Sequence, residues 1–167
     1  PFSGECCIPA GFSLAVGDIF LNKTGASAFV QQNYTNYIST SNKILIADTF
    51  TVDTNFTFAG CSNIIMAPGA LINVLPNRLF IVDDSHMYSC GSMSRGINAQ
   101  ANAIVRLKGS VIEDAQYAVN LDSAASFRSV ANYFKNNYIS VNAVSTLTAN
   151  NSMPVQLNIS NTVFEST

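Results

Sequence analysis

The chain has 167 residues, with 8 Lys or Arg against 10 Asp or Glu and a formal charge of −2. Charged residues make up 11%, against about 25% in an ordinary soluble domain, so the electrostatic footprint of a nucleic-acid binder or of a protein held to an anionic membrane is excluded. With 48% hydrophobic residues the chain can bury a sizeable single-domain core, and no apolar run approaches the roughly 18 residues of a membrane span.

Polarity comes from amides and hydroxyls: there are 19 Asn, 19 Ser and 11 Thr, with a single His and no Trp. Such side chains hydrogen-bond in ladders and turns without counter-ions, which suits a long, β-rich extracellular body.

In chain order, Pro1 to Asn42 matches no repeat and is expected to be a cap or leading segment, opening without a basic n-region or apolar h-region. A processed or excised piece is expected. Residues 43 to 80 read as short strands, KILIADTFTV, NFTFAG, NIIMAPGALINV and RLFIV, separated by turn residues. From there a repeat becomes strict. Ile97-Asn98, Val119-Asn120 and Val141-Asn142 recur at a spacing of 22, as do Val105 with Phe127 and Ile112 with Phe134. Upstream, Ile81 to Tyr88 aligns with Val105 to Ile112 at a spacing of 24, which puts two extra residues in Ser89 to Gly96. Downstream, Leu157 to Phe164 repeats Phe127 to Phe134 after an insertion around Asn150 to Pro154.

Within each unit the apolar residues alternate in short bursts, Val105 with Leu107, Val111-Ile112, then Ala118-Val119, broken by Gly, Asn, Asp or Ser. A period of two in three bursts, with no sustained helical period, predicts three short strands per unit. A unit this short cannot hold a βαβ crossover. The expected fold is all-β, a right-handed parallel β-helix over residues 43 to 167 behind an irregular cap over 1 to 42. Coils should stack about 4.8 Å apart. Ile97, Val119 and Val141 form one expected core stack, and Ile112, Phe134 and Phe164 another. The register lays down a strand at Val163 to Glu165 with no cap after it, so further rungs or a docked subunit are expected there.

MAPGALINV (Met66 to Val74), the cluster of Cys90, Met93 and Gly96-Ile97, SVIEDAQYAV (Ser110 to Val119) and YFKNNYISV (Tyr133 to Val141) resemble right-handed parallel β-helix segments of large bacterial surface proteins. Those proteins are similar to the cargo of the type IX secretion route. The resemblance covers residues 43 to 167 and implies a fold and a secreted, cell-surface, bacterial context. It carries no catalytic assignment.

Candidate sites are few. Asn98, Asn120 and Asn142 occupy one position on consecutive rungs and are expected to form an amide ladder, each bonding its equivalent above and below. Arg106 and Arg128 share a register position, so two like charges lie one rung apart unless an anion or glycan carboxylate sits between them. Glu113 and Lys135 lie one rung apart with opposite sign. Asp83, Asp84 and His86 invite a polysaccharide-cleaving reading, but the 24-residue register sets Asp83 and Asp84 beneath Leu107 and Lys108, and Glu113 and Asp114 above Ser89 and Cys90. The acids then share no cleft, and glycoside hydrolysis needs two carboxyls facing one bond. Exposed Tyr117, Tyr133 or Tyr138 would serve a glycan-binding module.

Cys6, Cys7, Cys61 and Cys90 include no CxxC pair, which argues against zinc. Two alternatives stay open: disulfides linking Cys6 or Cys7 to Cys61 or Cys90, or small buried apolar residues. The N-x-S/T sequons at Asn22, Asn33, Asn55, Asn150 and Asn158 are expected by chance in so Asn-rich a chain. The function expected is structural and non-catalytic: a stalk, adhesin or appendage segment without metal or cofactor. Its partners would be further domains of the same polypeptide, other subunits of a surface assembly, or glycans, with no nucleic acid and no membrane insertion. The competing reading is a carbohydrate-active enzyme or glycan-binding module on the same scaffold.

Overall fold

The computed structural model describes residues 16–143 and 154–166. The chain winds repeatedly through three short strands. The first coil comprises β1 (Ile19–Leu21), β2 (Thr24–Gly25), α1 (Ala26–Asn33) and β3 (Tyr37–Ile38). Next come β4 (Lys43–Ile46), β5 (Thr49–Val52) and β6 (Phe56–Ala59), then β7 (Asn63–Met66), β8 (Leu71–Val74) and β9 (Leu79–Asp83). These are followed by β10 (His86–Ser89), β11 (Gly96–Ala99) and β12 (Ile104–Lys108), and by β13 (Val111–Glu113), β14 (Tyr117–Leu121) and β15 (Ser126–Val130). Finally there are β16 (Tyr133–Lys135), β17 (Ile139–Ala143), β18 (Gln156–Ser160) and β19 (Val163–Glu165).

Every third strand pairs in parallel with the next, giving a first sheet β1-β4-β7-β10-β13-β16-β19, a second β17-β14-β11-β8-β5-β2 and a third β18-β15-β12-β9-β6-β3. The fold is an all-β parallel β-solenoid of about 5 turns with coils of about 24 residues. The spacing of 22 holds from Ile97 to Val119 to Val141, and other coils are longer through insertions at their corners.

Alternation decides which side chains enter the lumen. On the first sheet Ile44, Ile64, Met87, Ile112 and Phe134 stack inward. On the second the column is Phe50, Ile72, Ile97 and Val119, and on the third Phe56, Phe80, Val105 and Phe127. All are at most 2% exposed. A contiguous core of this kind is what a repeat cannot form alone and gains only by stacking.

Corners repeat as faithfully as strands. Gly60, Asp84, Gly109, Ala131 and Asn161 all have φ between +46° and +65° and follow directly on mutually paired strands of the third sheet. Asn77, Asn102 and Ala124 form a second such column, and Asp114 with Asn136 a third. Left-handed backbone favours Gly, Asn and Asp, which accounts for Asn77, Asn102, Asn136 and Asn161 at these corners.

Four findings differ from the sequence reading. First, the spacing of Phe80 to Val105 and of Met87 to Ile112 is 25, the same as that of Ser85 to Ser110, where 24 was expected. One residue of slip reverses every side chain in a strand. Phe80, Val82 and Met87 are at most 2% exposed, and at 24 they would face solvent while Ile81 and Tyr88 entered the lumen. Three extra residues therefore lie between Met87 and Ile97 compared with the next coil. Asp83 accordingly pairs with Lys108 and not with Leu107.

Second, residues 19 to 38, expected within a cap, supply β1, β2 and β3 to all three sheets. The repeat is masked there by α1, whose Phe29 and Val30 pack on the core, Phe29 meeting Phe56 edge-on at 5.6 Å. Third, of the expected core stacks, Val141 is only half-buried and Phe164 is 48% exposed. Both sit in register, but on the last strand of their sheet, with no described residue stacked above. Leu157 and Ile159 on β18 are exposed for the same reason. Fourth, Leu45, Ile65 and Cys90 form a second buried apolar cluster with Tyr88, separate from the main core. Leu45 and Ile65 are direct strand partners whose side chains alternate with the inward column of the first sheet.

Candidate functional site

The outer face of the third sheet carries the most distinctive chemistry. There β9, β12, β15 and β18 place Ile81, Arg106, Arg128 and Asn158 in direct register. Their neighbours Val105, Leu107, Phe127 and Ser129 point inward and are buried, so core alternation forces both guanidinium groups outward. Arg106 and Arg128 are exposed. Among the described residues neither forms an ion pair with a carboxylate: the Asp83 carboxylate in the next column is taken by Lys108 at 3.6 Å. A depression of about 290 Å³ lies on the side of Ile81, Lys108 and Val130, and a second of about 390 Å³ on the side of Ser126, Gln156 and Asn158. Both are lined by Arg106 and Arg128.

The acids and the histidine that suggested catalysis are dispersed. Asp83 ends β9 on the third sheet, Asp84 occupies the left-handed corner, and His86 begins β10 on the first sheet. His86 Nε2 meets Glu113 Oε1 at 3.0 Å, and Glu113 Oε2 lies 3.9 Å from Lys135 Nζ. Glu113 therefore joins His86 to Lys135 on the outer face of the first sheet. The 24-residue register hid this pairing, because it moved His86 and Glu113 out of alignment. In the adjoining corner, burial first and the Glu113 carboxylate second push the Asp114 carboxyl above the usual aspartate value, against the opposing pull of Lys135 and His86. Among the described residues no group of three His, Cys, Asp or Glu side chains converges as a metal site, and no helix is long and apolar enough to cross a membrane.

The amide row runs along the outer face of the second sheet. Asn142 Nδ2 donates to Asn120 Oδ1 at 2.7 Å, Asn120 Nδ2 to Asn98 Oδ1 at 2.7 Å, and Asn98 Nδ2 to Asn73 Oδ1 at 3.1 Å. Asn73, which also accepts from Gln100 Nε2 at 3.2 Å, is a fourth member that the sequence reading missed. Its signal was present, since Ile72-Asn73 is the same dipeptide as Ile97-Asn98, one coil earlier at a spacing of 25.

Two further polar residues were missed because they stand beside corners and not on strands. Asn132 accepts from Ser110 N at 2.8 Å and donates to Leu107 O at 2.9 Å and to Ser129 Oγ at 2.7 Å. Asn137 accepts from Ala115 N and donates to Ile112 O, both at 2.9 Å. Both are buried, and each clamps its own coil to the preceding one. Ser129, the polar residue of an otherwise apolar inward column, is satisfied by Asn132 and by Thr162 at 2.9 Å.

Of the cysteines, Cys61 is a buried thiol whose Sγ donates to Ile38 O at 3.2 Å, and Cys90 is buried in the second apolar cluster. Cys6 and Cys7 lie outside the described residues. Tyr117 and Tyr133 are half-buried, while Tyr138 is 71% exposed beside Gln116 and Met93. No protein-family model matches the chain, and no curated protein or solved structure matches it.

Proposed function

We propose that this chain is a non-catalytic structural segment of a secreted cell-surface protein of the type IX secretion kind, serving as a stalk, adhesin or appendage building block. The observation that carries this reading is the four-rung amide ladder from Asn73 to Asn142. The most regular outer face is spent on bonds between coils, leaving a body whose shape depends on stacking and hardly on charge. The dispersal of Asp83, Asp84 and His86 over two sheets and a corner supports the non-catalytic half of the reading. Its partners are further domains of the same polypeptide or other subunits of a surface assembly.

The test pairs a turnover assay with localisation. Incubation with a panel of acidic and neutral polysaccharides should release no reducing ends or unsaturated products, and antibody should label unpermeabilised cells of the source organism. Turnover lost in Asp83→Ala or Asp84→Ala would replace this reading with a carbohydrate-active enzyme. Labelling only after permeabilisation would refute the surface assignment. The Arg106 and Arg128 groove favours a second reading, in which the same body holds a glycan without cleaving it.

A further inference from the structure

We infer that the outer face of the third sheet binds an acidic polysaccharide, with Arg106 and Arg128 closing on a single carboxylate or sulfate group. This rests on the glycan-holding reading and names its ligand class and contacts.

Arg106 and Arg128 are direct partners on adjacent strands, which lie about 4.8 Å apart, and like charges placed directly opposite destabilise a sheet. No described carboxylate lies between them: Asp83 is engaged by Lys108. An oxyanion with several lone pairs, set between the two guanidinium forks, accepts from both and removes the repulsion. Two depressions, one on each side of the pair, let a chain continue past it in either direction. On one side Ile81 and Val130 offer apolar surface to the C–H face of a sugar ring, beside Asp83, which lines the same depression with its charge balanced by Lys108 at 3.6 Å. On the other, Ser126, Gln156 and Asn158 offer hydroxyl and amide groups to sugar hydroxyls. A linear glycan would pass from one depression to the other across the Arg106–Arg128 pair, obliquely over β12 and β15.

Nucleic acid is the weaker occupant. Polyphosphate binding draws on many neutralised phosphates, whereas this face offers two guanidinium groups that pair with no carboxylate among the described residues, on a chain of net charge −2.

The experiment measures binding of the 167-residue chain by titration calorimetry. The probes are size-defined oligogalacturonate, a sulfated glycan, neutral dextran, a single-stranded oligonucleotide and inorganic sulfate. Arg106→Ala and Arg128→Ala should each weaken binding of the acidic glycan about tenfold, the scale of one lost charge-assisted contact, and the double variant should abolish it. Both side chains are exposed and their opposition is itself destabilising, so neither Ala variant should lower the thermal midpoint and each should raise it slightly; Arg106→Lys and Arg128→Lys should retain part of the affinity, which separates charge from folding defects. Affinity should fall as salt rises. Preference for the uronate or the sulfated probe identifies the anion. Absence of binding to both acidic glycans overturns the inference, as does undiminished binding by the double variant, tighter binding of the oligonucleotide, or equal affinity for inorganic sulfate. Cleavage of the bound glycan would sink the non-catalytic reading while leaving this site standing, so the two fail separately.

Discussion

Asn120 donates from Nδ2 to Asn98 Oδ1 at 2.7 Å while its own Oδ1 accepts from Asn142 Nδ2 at the same distance. It is one of the two inner members of the ladder, with a partner on each side. Replacing Asn120 with Ala removes both bonds and leaves two half-buried amides each missing a partner. A net hydrogen bond contributes about 0.5–1.5 kcal/mol, so the expected loss is about 2 kcal/mol. Asn142→Ala removes one described amide-to-amide bond and should cost about half of that. Urea denaturation of the two variants checks the ratio; equal losses would mean that the ladder does not act through paired amides.

Gly96 and Gly69 make a controlled comparison. Both have left-handed backbone, at φ +77° and +73°. A Cβ on Gly96 would lie 1.9 Å from Tyr117 O on the next coil, whereas one on Gly69 would meet nothing within 4 Å. Gly69→Ala therefore carries only the left-handed strain of an L-residue, about 1–2 kcal/mol. Gly96→Ala adds a backbone clash that β11 and β14 must separate to relieve, and should cost at least about 3 kcal/mol. Thermal unfolding of the two variants side by side tests the difference.

How far the sequence could be read depended on where the chain kept strict time. From Ile97 to Val141 no corner changes length, and the pairings of Ile97 with Val119, Arg106 with Arg128 and Glu113 with Lys135 follow from counting. One residue of ambiguity at Ser89 to Gly96 then cost β9 and β10 their orientation, because period-two alternation turns a slip of one into a reversal of faces. Phe80 and Val82 could have settled it, since Phe-x-Val repeats Val105-x-Leu107 in the observed register and Ile81-x-Asp83 does not. The first coil was hidden by α1, which breaks the period of two between β2 and β3. Asn132 and Asn137 escaped notice because single polar residues at corners carry no periodic signal until their partners on the coil below are known.

Ala131 is the anomaly of its corner column. At φ +56° it adopts a conformation that Gly60 and Gly109 take without a side chain and that Asp84 and Asn161 take with a short polar one. Ala has neither advantage, and the left-handed conformation costs an L-residue about 1–2 kcal/mol. The residue is exposed, so removing its methyl group sacrifices little packing. Ala131→Gly should stabilise the fold by about 0.5–1 kcal/mol once the larger unfolded-state entropy of Gly is subtracted. Ala131→Asn should gain somewhat less, and Ala131→Val should destabilise. A loss of stability in Ala131→Gly would show that the column is indifferent to its backbone.

Two aspartates should impose opposite pH dependences. Burial disfavours the charged form of Asp53, but the Ser27 hydroxyl and amide, with Arg78 nearby, outweigh it and hold the carboxyl below the ordinary value of 3.8. Its carboxylate faces the first turn of α1, where the helix dipole also favours a negative charge. A lowered folded-state pKa contributes stability that is present above the unfolded-state value and is lost as the pH falls through the folded one. Asp114 is raised, so its charged form is penalised in the folded state; the penalty appears as the pH climbs past the unfolded-state value and is complete above the folded one. At neutral pH Asp53→Asn should therefore destabilise by about 0.5–1 kcal/mol. Asp114→Asn should stabilise by only a few tenths of a kcal/mol, because the half-buried carboxyl is partly screened by solvent and Lys135 and His86 offset its penalty. Both charge effects should fade as an unfolding titration is carried down past the ordinary aspartate value. A stabilising effect of Asp53→Asn at neutral pH, or an Asp114→Asn gain that grows toward acid, would contradict the assigned signs.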